Sequence, residues 1–164
     1  MKRRRSREER FPSTSTFTYY NANPKNRITG DCVFRAIATA TGKTWEQVVR
    51  EMAEVSLKTG YAINDKKGIE KYLESIGWTK HRQPRKDDGR KYTGNEFCKA
   101  IQEYVYWDND WDNAKGLNIG DGIIISDKII ANIGGGHLTC IIDGITNDIW
   151  DCNDGCIGNY WTKD

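Results

Sequence analysis

Apolar residues recur at helical spacing through the first two thirds of the chain and in short alternating or continuous runs through the last third. Val33, Ala36, Ile37 and Ala40 fall three and four apart, which predicts a helix over about residues 32–41 that Gly42 stops. Thr44-x-x-Gln47 is a capping box, and the helix it opens carries Trp45, Val48, Val49, Met52 and Val55 on one face. Ile69, Tyr72, Leu73 and Ile76 mark a third helix ending at Gly77, and Thr93-x-x-Glu96 opens a fourth with Phe97, Ala100, Ile101 and Tyr104. Between those two, Trp78 to Tyr92 is charged and rich in turn residues, so it reads as an exposed connection, with His81 inside it.

From about Gly120 the pattern changes. Ile123 to Ile125, Ile129-Ile130, Leu138 to Ile142 and Ile145 to Trp150 are β-type runs separated by Gly, Asp and Asn. Asp143-Gly144 marks the turn between the last two. Upstream, Phe17 to Tyr20 reads as a short strand or a packing strip, and residues 21–31 as a loop leading to Cys32. Helices first and an antiparallel sheet last predict an α+β fold.

At 164 residues the chain suits a single domain over 17–164, preceded by a basic flexible tail over 1–16. Residues 1–10 hold six basic side chains (Lys2, Arg3, Arg4, Arg5, Arg7, Arg10) against Glu8 and Glu9, a local +4 that leaves the remainder at −2. Such a run offers a contact for an acidic partner or nucleic acid. Apolar runs stay well short of the ~20 residues that span a bilayer, so no membrane partner is expected. Five cysteines, an odd and sparse set, fit free thiols in a reducing compartment better than a disulfide framework. The expectation is a cytoplasmic protein, or one packaged from the cytoplasm into a virion.

Chemistry concentrates at two distant places. Gly30-Asp31-Cys32 puts a thiol at the first turn of a helix, where free amides and the helix dipole favour a thiolate. Asp31 would oppose that anion unless it points away or caps the helix, and capping is the expectation. Gly134-Gly135-Gly136-His137 puts an imidazole at the head of a strand, in place to act as acid and base. A third group must orient the ring. A three-residue loop over 143–145 would set Asp151 opposite His137, whereas a two-residue turn would put Asp148 on its face, diagonal to it. Asp151 is favoured and Asp148 is the alternative.

The pattern Asn26-x5-Cys32, with Gly30-x-Cys32 leading an apolar helix and a late His137…Asp151 hairpin, resembles the papain-like cysteine peptidases. It is especially similar to their compact bacterial and phage-type members, including bacteriocin-processing peptidases. The resemblance covers residues 21–46 and 120–161. It implies Cys32 as nucleophile, His137 as acid and base, Asp151 as third residue, and Asn26 in the oxyanion hole, where the family commonly places a Gln. The implied activity is a cysteine-dependent hydrolase cleaving a peptide, isopeptide or other amide in a peptide or protein substrate, with no cofactor. The alternative is a papain-like fold kept as a binding or structural module, a virion or mobile-element accessory protein, with contacts through the tail and aromatics such as Tyr19, Tyr20, Trp107 and Trp111.

Two metal readings are weaker. His137, Cys140, Cys152 and Cys156 could supply four zinc ligands, but 137 and 140 point to opposite faces of a strand. Asp108-Asn109-Asp110-Trp111-Asp112 looks like a calcium loop but has Asn113 and Ile119 where glycine and glutamate are required. Neither metal is expected.

Overall fold

The computed structural model describes residues 2–108, 116 and 118–163. Residues 109–113 of the acidic loop, Trp111 among them, and the side chains of Trp107 and Asp108 lie outside the described residues. In chain order the elements are α1 (Arg7–Arg10), β1 (Phe17–Tyr19), α2 (Cys32–Thr41), α3 (Trp45–Thr59), α4 (Lys66–Ser75), β2 (Thr79–His81), α5 (Gly94–Asp108), β3 (Lys128–Ile133), β4 (His137–Ile142), β5 (Ile145–Asp148) and β6 (Ile157–Thr162). The fold is α+β, with one six-stranded sheet ordered β1-β5-β4-β3-β6-β2. Among the described residues no helix is long and apolar enough to cross a membrane.

The helix signals act as expected. Thr44 Oγ1 accepts from Gln47 N at 3.1 Å while Gln47 Oε1 accepts from Thr44 N at 2.9 Å, and Thr93 and Glu96 repeat the exchange before α5 at 3.2 and 2.9 Å. Gly42, at φ +73°, ends α2 in the left-handed conformation that only glycine adopts at little cost.

The central strands are covered on both faces, which is why they read as apolar runs. On one face Ile130, Leu138, Cys140 and Trp161 pack with Ala36, Ile37 and Ala40 of α2 and with α3 and α4. On the other, Ile129, Ala131, Ile133, Ile141 and Tyr160 pack with Phe97, Cys98 and Ile101 of α5. Neighbouring residues thus enter different cores, as strand alternation requires.

The sheet departs from the expectation in three ways. β1 pairs parallel with β5, so the sheet is mixed and not purely antiparallel. β6 closes against β3, and β2, formed inside the supposed exposed connection, pairs with β6 at the edge. Trp78 and Tyr92 are buried, and His81 Nε2 lies 2.7 Å from Thr162 Oγ1. Ile123 to Ile125 forms no strand; Ile124 makes a single bridge with Asn118 while Ile123 and Ile125 fill the core. The N-terminal segment is tied to the body at more than one point: Arg7 Nε donates to the Ile149 carbonyl at 2.7 Å, and Thr16 is buried, its carbonyl accepting from Thr146 N at 2.8 Å and Asn153 Nδ2 at 2.9 Å.

α5 begins where space is smallest. A Cβ at Gly94 would stand 2.7 Å from Asn153 Cα and 2.8 Å from Ile133 Cδ1. Gly94→Ala is therefore expected to cost about 1–3 kcal/mol, read as a lower urea midpoint at unchanged slope.

Candidate active site

α2 lies across β4, so its N-terminus meets the head of that strand. Cys32, the first residue of α2, is half-buried and sits at this meeting point with His137, the first residue of β4. The thiol is close enough to the His137 side chain and the Leu138 backbone for both to act on its charge. Burial pushes the thiol up, but those interactions and the positive charges of His137 and Arg35 outweigh it and hold Cys32 below the ordinary thiol value.

His137 Nε2 lies 2.6 Å from Asp148 Oδ2, so the carboxylate holds one ring nitrogen. Burial disfavours the imidazolium, but bonds to Asp148, Cys152 and Cys32 and the charge of Asp148 push its pKa up to about 11. Asp148 is itself kept ionised: burial opposes charge, and His137, Thr139 and Arg35 overcome it, so the carboxyl lies below its usual range. Thr139 Oγ1 donates to Asp148 Oδ2 at 2.7 Å, and Ile149 N and Arg35 Nη1 donate to Oδ1, each at 2.7 Å. Both shifts run in the direction that favours a thiolate–imidazolium pair, with the carboxylate orienting the ring.

The favoured third residue, Asp151, is replaced in this role by Asp148. Ile142 pairs with Ile145 and Cys140 with Asn147, so Asp143-Gly144 is a two-residue turn. That register sets Asp148 one step beyond the last pair, diagonal to His137 on the same face. Asp151 instead accepts from Asn153 N at 3.1 Å, closing a local turn.

Asp31 stands at the N-cap of α2 but makes no side-chain cap bond. Its carboxylate turns away from the thiol, accepting from Arg35 Nε at 2.8 Å and from Asn23 Nδ2 and Trp45 Nε1 at 3.0 Å each. The result is a buried row of alternating charge, Asp31, Arg35, Asp148, His137, Cys32. Arg35 carried no role in the sequence reading, although a lone guanidinium among apolar helix positions, four residues after Asp31, was the available signal. Trp150, also unforeseen, holds its ring 5.1 Å from that of His137.

Asn26 is exposed, in the left-handed conformation at φ +52°, with its carboxamide oxygen accepting from Asn21 Nδ2 at 3.3 Å. The four-ligand zinc set is not assembled. Cys140 is wholly buried on the α2 face and Cys156 is exposed. Among the described residues, His137, Asp148 and Cys152 bring ligand atoms within 4.8 Å of one another. A cation there would face Arg35, whose Nη1 is 2.7 Å from the same carboxylate, so hydrogen bonding is the better account of the trio.

No family model matches this chain, and neither does any curated protein or solved structure.

Removing the guanidinium strands two carboxylates that are almost wholly buried. Arg35→Met is expected to cost about 3–5 kcal/mol in urea unfolding. The sign with pH follows: Asp148 is depressed, so its stabilisation is full above the unfolded carboxyl value and drains as pH falls through the folded one. The variant, with that carboxyl raised, should unfold at higher pH than the parent in acid titration.

Proposed function

We propose that the chain is a papain-like cysteine hydrolase acting on an amide bond through a thioester. The observation that carries the reading is the Cys32 thiol at the first turn of α2, beside the His137 imidazole, whose Nε2 is held by Asp148 at 2.6 Å. The helix N-terminus on the nucleophile, the ring on the neighbouring strand and the orienting carboxylate are what the resemblance implies, with Asp148 in the place first given to Asp151.

The Cys32 thiolate attacks the carbonyl carbon, and the negative charge passes to the carbonyl oxygen. Free amides of the first turn of α2, the Cys32 amide among them, are donors for that oxyanion. Asn26 would add a side-chain donor by turning its amide from the loop toward the cleft. The imidazolium gives its proton to the departing amine, leaving a thioester and a neutral ring. Water then loses a proton to that ring as it attacks, the acid is released, and the thiolate–imidazolium pair returns. Asp148 keeps the ring oriented and favours its charged form throughout.

Alkylation by iodoacetamide tests the assignment, with the exposed Cys156 as internal reference. Cys32 should react faster than Cys156 and keep reacting below pH ~8.5, the ordinary thiol value. In His137→Ala, where burial is less opposed, its apparent pKa should rise and the advantage disappear. Equal labelling of Cys32 and Cys156 in the parent protein would return the chain to the non-catalytic binding-module reading.

A further inference from the structure

A cleft of about 180 Å³ opens beside the reacting pair, bounded by His137 and Gly136 at one end and by Val33, the residue after the nucleophile. Its apolar surface comes from Val33, Ile69, Leu138 and Trp161, and its polar side from Asn64, Lys66 and Glu70 as well as Asn132 and Asn159. Asn132 Oδ1 is buried and has no hydrogen-bond partner among the described residues. An unsatisfied buried acceptor is costly to keep, and folds rarely retain one without use.

The backbone around it is specialised too. β3 and β6 pair at Ala131 with Tyr160 and at Ile133 with Ile157, so Gly158 and Asn159 together oppose the single residue Asn132. A bulge of this kind re-aims side chains and is common beside active sites. Gly158 leaves room against it, since a Cβ there would lie 3.6 Å from Asn132 Cβ. Gly136, at the reactive end, has nothing within 4 Å of where its Cβ would be, so another backbone can approach closely.

We propose that Asn132 is a substrate-binding residue whose carboxamide, turned toward the cleft, pairs with a backbone amide of an extended peptide lying there. A carboxamide carries the same acceptor and donor as a peptide group, so it can match one on both counts. The apolar surface receives a side chain of the same peptide, and the exposed glycine turn lets the peptide's main chain reach Cys32. The proposal rests on Cys32 being the nucleophile.

The test compares two alkylating probes of Cys32: chloroacetone, and an acetyl-dipeptidyl chloromethyl ketone with leucine next to the reactive group. The parent protein should prefer the peptidyl probe. Asn132→Ala should lower that preference by about tenfold, the order expected for one lost hydrogen bond, with the chloroacetone rate unchanged. Asn132→Leu, which fills similar space with no polar atom, makes the same test should the alanine variant fail to fold. A parent with no peptidyl preference, or a preference unchanged in the variants, would overturn the inference. Failure of the nucleophile assignment would show separately, as chloroacetone labelling of Cys32 no faster than of Cys156.

Discussion

Arg35 lies almost wholly buried between two carboxylates, Asp31 on the loop before α2 and Asp148 at the end of β5. A guanidinium can do this because its planar fork donates in two directions at once, Nε to one partner and Nη1 to the other. The bridge ties α2, which bears Cys32, to β5, which bears Asp148. It also assigns each carboxylate a place. Asp31, adjacent in sequence to the thiol, is drawn off toward the guanidinium, so its charge is neutralised where it would otherwise oppose the thiolate. Asp148 stays ionised despite burial and can hold the imidazole. Burying three charges is expensive, and mutual pairing with further N–H donors is what makes the arrangement tolerable.

Register does the rest. The choice between two-residue and three-residue connections at Asp143-Gly144 decides which acid meets His137, because one residue of slip exchanges the faces of β5. Close packing enforces the observed turn: a Cβ at Gly144 would lie 2.7 Å from Gln102 Cγ and 2.9 Å from the Cys98 carbonyl oxygen, and Gln102 Nε2 donates to the Gly144 carbonyl at 2.9 Å. α5, which contributes nothing to the reacting groups, thus helps fix their geometry.

Much of this was legible in the chain, and the rest was hidden for identifiable reasons. Capping boxes at Thr44 and Thr93 announce their helices because the signal is local. Cys32 and His137 stand out for the same reason, as reactive side chains placed at element starts. Asp148 could be named only as an alternative, since its selection depends on pairing across a turn. β6 escaped notice because the bulge at Gly158-Asn159 breaks the alternation, and β2 because Thr79, Lys80 and His81 are polar residues on an edge strand. Arg35 is informative only when its two partners are known, and one of them is 113 residues away. Ile123 and Ile125 misled in the other direction, being apolar for the sake of the core and not of a ladder.

His137 interacts with two sulfurs, Cys32 and Cys152, and their thiols shift in opposite directions. Cys152 is buried, and its Sγ lies 3.9 Å from Asp148 Oδ2. Burial and that carboxylate both disfavour a second anion, so its thiol is pushed above the ordinary value despite the bond to His137. Cys32 shares the imidazole but has the Leu138 amide, the charge of Arg35 and the first turn of α2 on its side, and its pKa moves the opposite way. The imidazole alone therefore cannot define the reactive thiol. What separates the two sulfurs is their other neighbours: Cys152 lies against the Asp148 carboxylate, whereas Cys32 has the charge of Arg35 and the free amides of a helix start. The direction in which each thiol shifts follows its position along the charged row, which Arg35 bridges.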